Sequence, residues 1–64
     1  MKLEVHFTIK GLLGSFLHVI EVDNMEADTI LNTLVIAINE HINRSHFRVF
    51  KYAISIFLIK ELTY

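Results

Sequence analysis

One stretch decides the fold of this chain: residues 47–60, with the sequence Phe-Arg-Val-Phe-Lys-Tyr-Ala-Ile-Ser-Ile-Phe-Leu-Ile-Lys. It is the longest apolar segment, and its density of β-branched and aromatic residues favours a strand. Several of its apolar residues also fit helical spacing, so a helix is the alternative. As a strand it has apolar side chains on both faces, and both faces then need cover from elsewhere.

The segments before this stretch predict a hairpin. Apolar and polar residues alternate over residues 2–10, which is typical of a half-buried strand. Residues 11–15 contain both glycines of the chain, and glycine supplies the positive φ that tight turns need. Residues 16–23 predict a second strand, partly apolar on both faces. The apolar face of the first strand consists of Leu3, Val5, Phe7 and Ile9.

A helix is predicted between the hairpin and the last strand. Asp23 and Glu26 have the spacing of a capping box, in which side chains accept the free N–H groups of the first turn. Apolar residues then recur at intervals of three and four until about Asn43, which predicts an amphipathic helix. These residues are Ala27, Ile30, Leu31, Leu34, Val35, Ile38 and Ile42.

The order of elements predicts an α+β fold of the β-β-α-β type in a single domain, residues 1–64. A right-handed crossover through the helix makes the third strand parallel to the second. The first strand then lies between them, antiparallel to both. The predicted architecture is a three-stranded antiparallel sheet of order 2-1-3, with one amphipathic helix packed on one face.

The composition predicts a partner. Of the 64 residues, 53% are hydrophobic and 20% are charged, and a domain this small hides little of its surface. The chain has no cysteine, so disulfides are excluded and a cytoplasmic location is predicted. A net charge of −1 gives no general attraction to nucleic acid or to anionic membranes. The uncharged apolar run at 52–59 is too short to cross a membrane, so no membrane association is expected.

The residues that carry chemistry do not predict an enzyme. The serines have no motif around them, and the acids are spread along the chain. Of the four histidines, His6 and His18 would bind a metal together only if the hairpin placed them opposite each other. The expected alternative is that all four histidines, including His41 and His46, are solvated or packed against other side chains. We therefore expect no catalytic residue, no metal site and no cofactor.

The sheet face away from the helix is the predicted interface. Its middle is polar, and its apolar part lies toward the outer strands. We expect a non-enzymatic, regulatory protein-interaction module that forms a homodimer, or docks on a larger protein, through this face or through the last strand's edge. The predicted interface residues are Leu17, Val19, Ala53, Phe57 and Ile59.

Residues 44–52 predict an alternative function, because basic and aromatic side chains interleave there. Proteins that bind single-stranded nucleic acid stack bases on aromatic rings and contact phosphates with basic groups. Binding of this kind should fall steeply with salt. A strand would divide the group between two faces, which weakens this interpretation. Its members are Arg44, Arg48, Phe50, Lys51 and Tyr52.

Overall fold

The computed structural model describes residues 1–42 and 48–63. Strands β1 and β2 form the hairpin, helix α1 follows, and a single 3₁₀ turn precedes strand β3. The sheet has the order β2-β1-β3 and both pairings are antiparallel, which confirms the predicted α+β fold. The elements are β1 (Lys2–Ile9), β2 (Phe16–Glu21), α1 (Ala27–His41), the 3₁₀ turn (Lys51–Ala53) and β3 (Ile54–Leu62).

The core lies between α1 and one face of the sheet. The whole apolar face of β1 is buried, as its alternation predicts. The helix contributes Ile30, Leu34 and Ile38, which follow one another at intervals of four and so share one side of it. Val49, in the segment before β3, is also buried in this core. The hairpin turn has both glycines at positive φ, 90° at Gly11 and 86° at Gly14.

Among the described residues, Asn39 of α1 forms two hydrogen bonds with the segment before β3. The Nδ2 of Asn39 donates to the carbonyl oxygen of Val49 at 2.9 Å, and the Val49 N–H donates to Oδ1 of Asn39 at 2.8 Å. The primary amide thus pairs with both backbone groups of one residue, as a neighbouring strand would. This contact fixes the position of the segment that leads into β3.

The helix begins later than the capping box predicts. It begins at Ala27 with Glu26 as its N-cap, which makes no side-chain capping bond. Instead, the Glu26 N–H donates to Oδ1 of Asn24 at 2.9 Å, in a local turn that competes with helix formation. The predicted box between Asp23 and Glu26 is therefore wrong. The helix ends at His41 and its predicted end at Asn43 lies outside the described residues.

The predicted strand over residues 47–60 is correct only in its second part. Residues 51–53 form a 3₁₀ turn, which the Ala53 N–H closes by donating to the Phe50 carbonyl at 2.9 Å. Strand pairing begins at Ile54 and continues to Leu62, past the predicted end. The predicted start at Phe47 lies outside the described residues. The paired part is thus a strand, as favoured over the helical alternative.

Strand β3 contains a bulge at Phe57. Phe7 pairs with Ile56 and His6 pairs with Leu58, so Phe57 has no partner on β1. One extra residue exchanges the faces of all side chains that follow it. Leu58 therefore shares a face with His6, and Ile59 shares the other face with Val5. The prediction that Phe57 and Ile59 lie on the same face is wrong for this reason.

Candidate protein interface

The side of the sheet opposite α1, which we call the open face, has a row of residues across its three strands. His6 of β1 pairs with Leu17 of β2 on one side and with Leu58 of β3 on the other. Directly opposed residues in an antiparallel sheet point to the same face. The Phe57 ring lies edge-on to the His6 ring, with centroids 6.1 Å apart and planes at 60°. One polar ring therefore stands between apolar side chains of both outer strands.

Four large apolar residues of the open face are exposed, and we call them the open-face cluster. Leu17 is 52% exposed and Val19 46% on β2, while Phe57 is 59% and Leu58 49% exposed on β3. Val19 pairs with Glu4, which places it one row along from Leu17 on the same face. The apolar residues lie on the outer strands and the polar ones on β1. The exposed apolar side chains therefore form two groups, one on each outer strand, on either side of the polar central strand. Exposed apolar surface bordered by polar residues is typical of an interaction surface.

The charges of the open face are balanced. One row contains Glu4 paired with Lys60, and the next contains Lys2 paired with Glu21. Two acids and two bases therefore lie on the face, with neutral net charge when His6 is neutral. The Nε2–H of His6 also donates to Oε2 of Glu4 at 2.8 Å, and both side chains are half-buried. The face thus attracts neither polyanions nor polycations as a whole.

Two predicted interface residues lie elsewhere. Ile59 pairs with Val5 and so faces the side of α1, although it remains 38% exposed there. Ala53 belongs to the 3₁₀ turn, and its carbonyl accepts a hydrogen bond from the Lys10 N–H at 2.8 Å. The sequence does not predict Leu58 as an open-face residue, because the bulge that places it there contains no glycine that would indicate a bulge. Leu17, Val19 and Phe57 lie on this face as predicted.

The histidines do not pair across the hairpin. His6 pairs with Leu17 and His18 pairs with Val5, so the two imidazoles lie on opposite faces of the sheet. The register on which a shared metal site depended is therefore wrong by one residue. Within the described ranges, no group of three or more His, Asp or Glu side chains is placed to hold a metal ion. His46 lies outside these ranges.

A groove of about 390 Å³ lies between the hairpin and the end of α1. Its lining is apolar except for His18 and His41, so the described part of the groove has no carboxylate or nucleophile beside a histidine. The described lining residues are Phe7, Ile9, Leu12, Phe16, Leu17, His18, Ile38, His41, Ile42 and Val49.

The basic and aromatic segment forms a second exposed site. Phe50 and Tyr52 are stacked, with ring centroids 5.6 Å apart and planes within 6° of parallel. Arg48 and Lys51 are exposed beside them, whereas Arg44 lies outside the described residues. A cleft of about 380 Å³ separates this segment from α1. The described residues lining it are Asn32, Val35, Ile36, Asn39, Arg48, Val49, Phe50 and Lys51.

Comparisons of the chain with protein-family models, with curated proteins and with solved structures gave no match. Within the described part of the chain, no helix has the length and apolar character needed to cross a membrane. Function is therefore inferred from the residues and surfaces described above.

Proposed function

We propose that this protein is a non-enzymatic interaction module that forms a homodimer through its open face. The observation that supports the proposal best is the open-face cluster, which leaves four large apolar side chains in contact with solvent. The bulge at Phe57 adds Leu58 to that surface. Bulges re-aim side chains at functional places in sheets, and this one places Leu58 on the exposed side and Ile59 on the side of α1.

The size of the open face sets the expected strength of the dimer. Three strands about 4.8 Å apart, with a rise of about 3.4 Å per residue, present a face of roughly 14 by 27 Å. Two such faces bury on the order of 800–1,200 Å² together once side-chain relief is included, which is near the lower limit for specific interfaces. We therefore expect a dissociation constant in the micromolar range, about 8 kcal/mol of binding free energy.

A second copy is the occupant that the charges favour. Each face contains two acids and two bases, so two identical faces meet without net repulsion. Sheets that pack face to face cross at roughly 30°, which brings alternate side chains of the two sheets together. A larger protein with a complementary apolar surface is the alternative partner.

The face is a better candidate than the edge of β3. A bulge bends a strand and disrupts its row of backbone hydrogen-bonding groups. Natural sheets use bulges to prevent edge-to-edge pairing, so the bulge at Phe57 protects this edge. The proposal therefore places the last strand in the interface through its side chains rather than its backbone.

A cytoplasmic, regulatory role is part of the same proposal. The chain has no cysteine, and small secreted domains more often contain disulfides. A micromolar dimer responds to changes in protein concentration within the cell, which is a property that suits regulation.

Sedimentation velocity over a dilution series from about 0.05 µM to about 0.5 mM, a range that brackets a micromolar dissociation constant, tests the homodimer. We expect a reversible transition from monomer to dimer, and we expect Leu58→Ser to move it at least tenfold higher in concentration. Ile36→Ser is the matched control, because Ile36 is 60% exposed on α1 and lies away from the open face. This control should leave the transition unchanged.

Two outcomes would reject this dimer. A monomer at every concentration would remove it and leave docking on a larger protein as the remaining form of the proposal. A dimer that Ile36→Ser disrupts and Leu58→Ser does not would place the interface on the helix instead.

A further inference from the structure

We propose that the cleft between α1 and residues 48–51 binds single-stranded nucleic acid, with bases stacked on Phe50, which lines the cleft, and on Tyr52, which stacks on Phe50 at its border. The two rings are nearly parallel, at 6°, with centroids 5.6 Å apart. Phe50 is 51% exposed and Tyr52 is 82% exposed, so the pair forms an aromatic surface in contact with solvent. Single-strand binders use such surfaces because every base has a flat face that stacks on a ring.

The backbone beneath the rings is held in place before any ligand binds. The 3₁₀ turn is closed by the hydrogen bond from the Ala53 N–H to the Phe50 carbonyl. On the other side, Asn39 binds both backbone groups of Val49. A site that is already ordered loses less conformational entropy on binding. The hydrogen bonds on both sides of the rings therefore fix the backbone of this site more firmly than that of an ordinary exposed loop.

The cleft beside the rings has the charge that a phosphate backbone requires. Arg48 and Lys51 line it, and none of its described lining residues is acidic. Asn32 lies on the helix side of the cleft, and its amide can both donate to and accept from the polar edge of a base. Aromatic stacking, cationic groups and an amide are the combination by which unpaired bases are recognised.

The dimensions and the charge favour a single strand over a duplex. A volume of about 380 Å³ accommodates a flat base but not a double helix. Arg48 and Lys51 together neutralise about two phosphates. With two phosphate contacts, a plot of the logarithm of affinity against the logarithm of salt concentration should have a slope of about −1.4. Affinity should therefore fall about sevenfold between 50 and 200 mM salt. Sequence preference should be slight, since stacking accepts every base.

Fluorescence anisotropy with labelled oligo-dT and oligo-U tests this site. We expect the wild-type protein to bind both at low salt with the shallow salt slope given above. Tyr52→Ala should weaken binding on the order of tenfold, whereas Tyr52→Phe, which keeps the ring, should bind as wild type does. Lys51→Gln should reduce the salt slope by about half. Tyr52 is well exposed, so these changes should leave the circular dichroism spectrum unchanged.

The proposal is overturned if oligonucleotides do not bind at low salt, or if Tyr52→Ala binds as tightly as wild type. It is also overturned if a duplex or a poly-glutamate peptide binds equally well, because the cleft would then be a general anion site. Leu58→Ser, on the open face, should keep oligonucleotide binding. The failure of this proposal and the failure of the dimer are therefore separate results.

Discussion

Both faces of this sheet contain large apolar residues, but only one face is covered. Leu3 on β1 and Leu17 on β2 belong to neighbouring strands, but Leu3 is fully buried beneath α1 and Leu17 is 52% exposed. A single helix covers one face only. The apolar residues on the other face are therefore in excess of what the described part of the chain buries, and this excess is the basis of the proposed dimer.

The largest expected effect tests the contrast between the two leucines directly. Leu3→Ala should lower the free energy of unfolding by about 2–5 kcal/mol, since it removes fully buried methyl groups and leaves a cavity. A chain of this length has only about 3–10 kcal/mol in total, so the variant should lose a large part of its stability. Urea denaturation followed by circular dichroism at low protein concentration measures the difference.

Leu17→Ala is the matched control for this experiment. It should cost less than about 1 kcal/mol in the monomer, because Leu17 is already half exposed. Equal losses for the two variants would contradict the assignment of a covered and an uncovered face.

A second experiment addresses how the covered face is held together. Asn39→Ala removes both hydrogen bonds to Val49 and leaves its partly buried backbone groups unpaired. We expect a loss of about 1–3 kcal/mol in the free energy of unfolding. Hydrogen exchange of the Val49 amide should accelerate by more than that of amides in β1. Asn32→Ala, at an exposed position on the same helix, should not lower the free energy of unfolding and should leave the exchange of the Val49 amide unchanged.

The smallest expected effect on stability comes from deleting Phe57. Its removal leaves every other pair between β1 and β3 in place, because Phe57 has no partner in the ladder. The free energy of unfolding should change by about 1 kcal/mol or less. Dimerisation should weaken, since the open face loses its most exposed ring. A deletion that unfolds the protein would show that the bulge is required for the fold itself.

The sequence predicts the parts of this fold that depend on periodicity. Alternation along β1 and the helical spacing of Ile30, Leu34 and Ile38 each bury one face, so these element types follow from residue type. The sheet order follows from the handedness of the crossover through the helix. These patterns also identify Leu17, Val19 and Phe57 as open-face residues. Their role in a dimer stays a prediction.

The details that the sequence does not predict depend on single-residue offsets. Hairpin register follows from turn geometry, and a shift of one residue separates His6 from His18. The bulge at Phe57 likewise shifts the register by one residue, so Leu58 and Ile59 exchange faces. No glycine in the sequence indicates this bulge. The 3₁₀ turn and the contact of Asn39 with Val49 arise from tertiary packing, which propensities do not report.

The order of the strands has a consequence for biosynthesis. The central strand is the first to be made, and one of its two neighbours is the last, with Lys2 pairing with Leu62. While the ribosome is still adding residues 54–62, the hairpin has one side of β1 without a partner. The sheet is therefore completed only after β3 has been translated, and the long chain separation between paired strands makes this step slow. In this interval β1 has an unpaired edge, and unpaired strand edges are where pairing between chains begins.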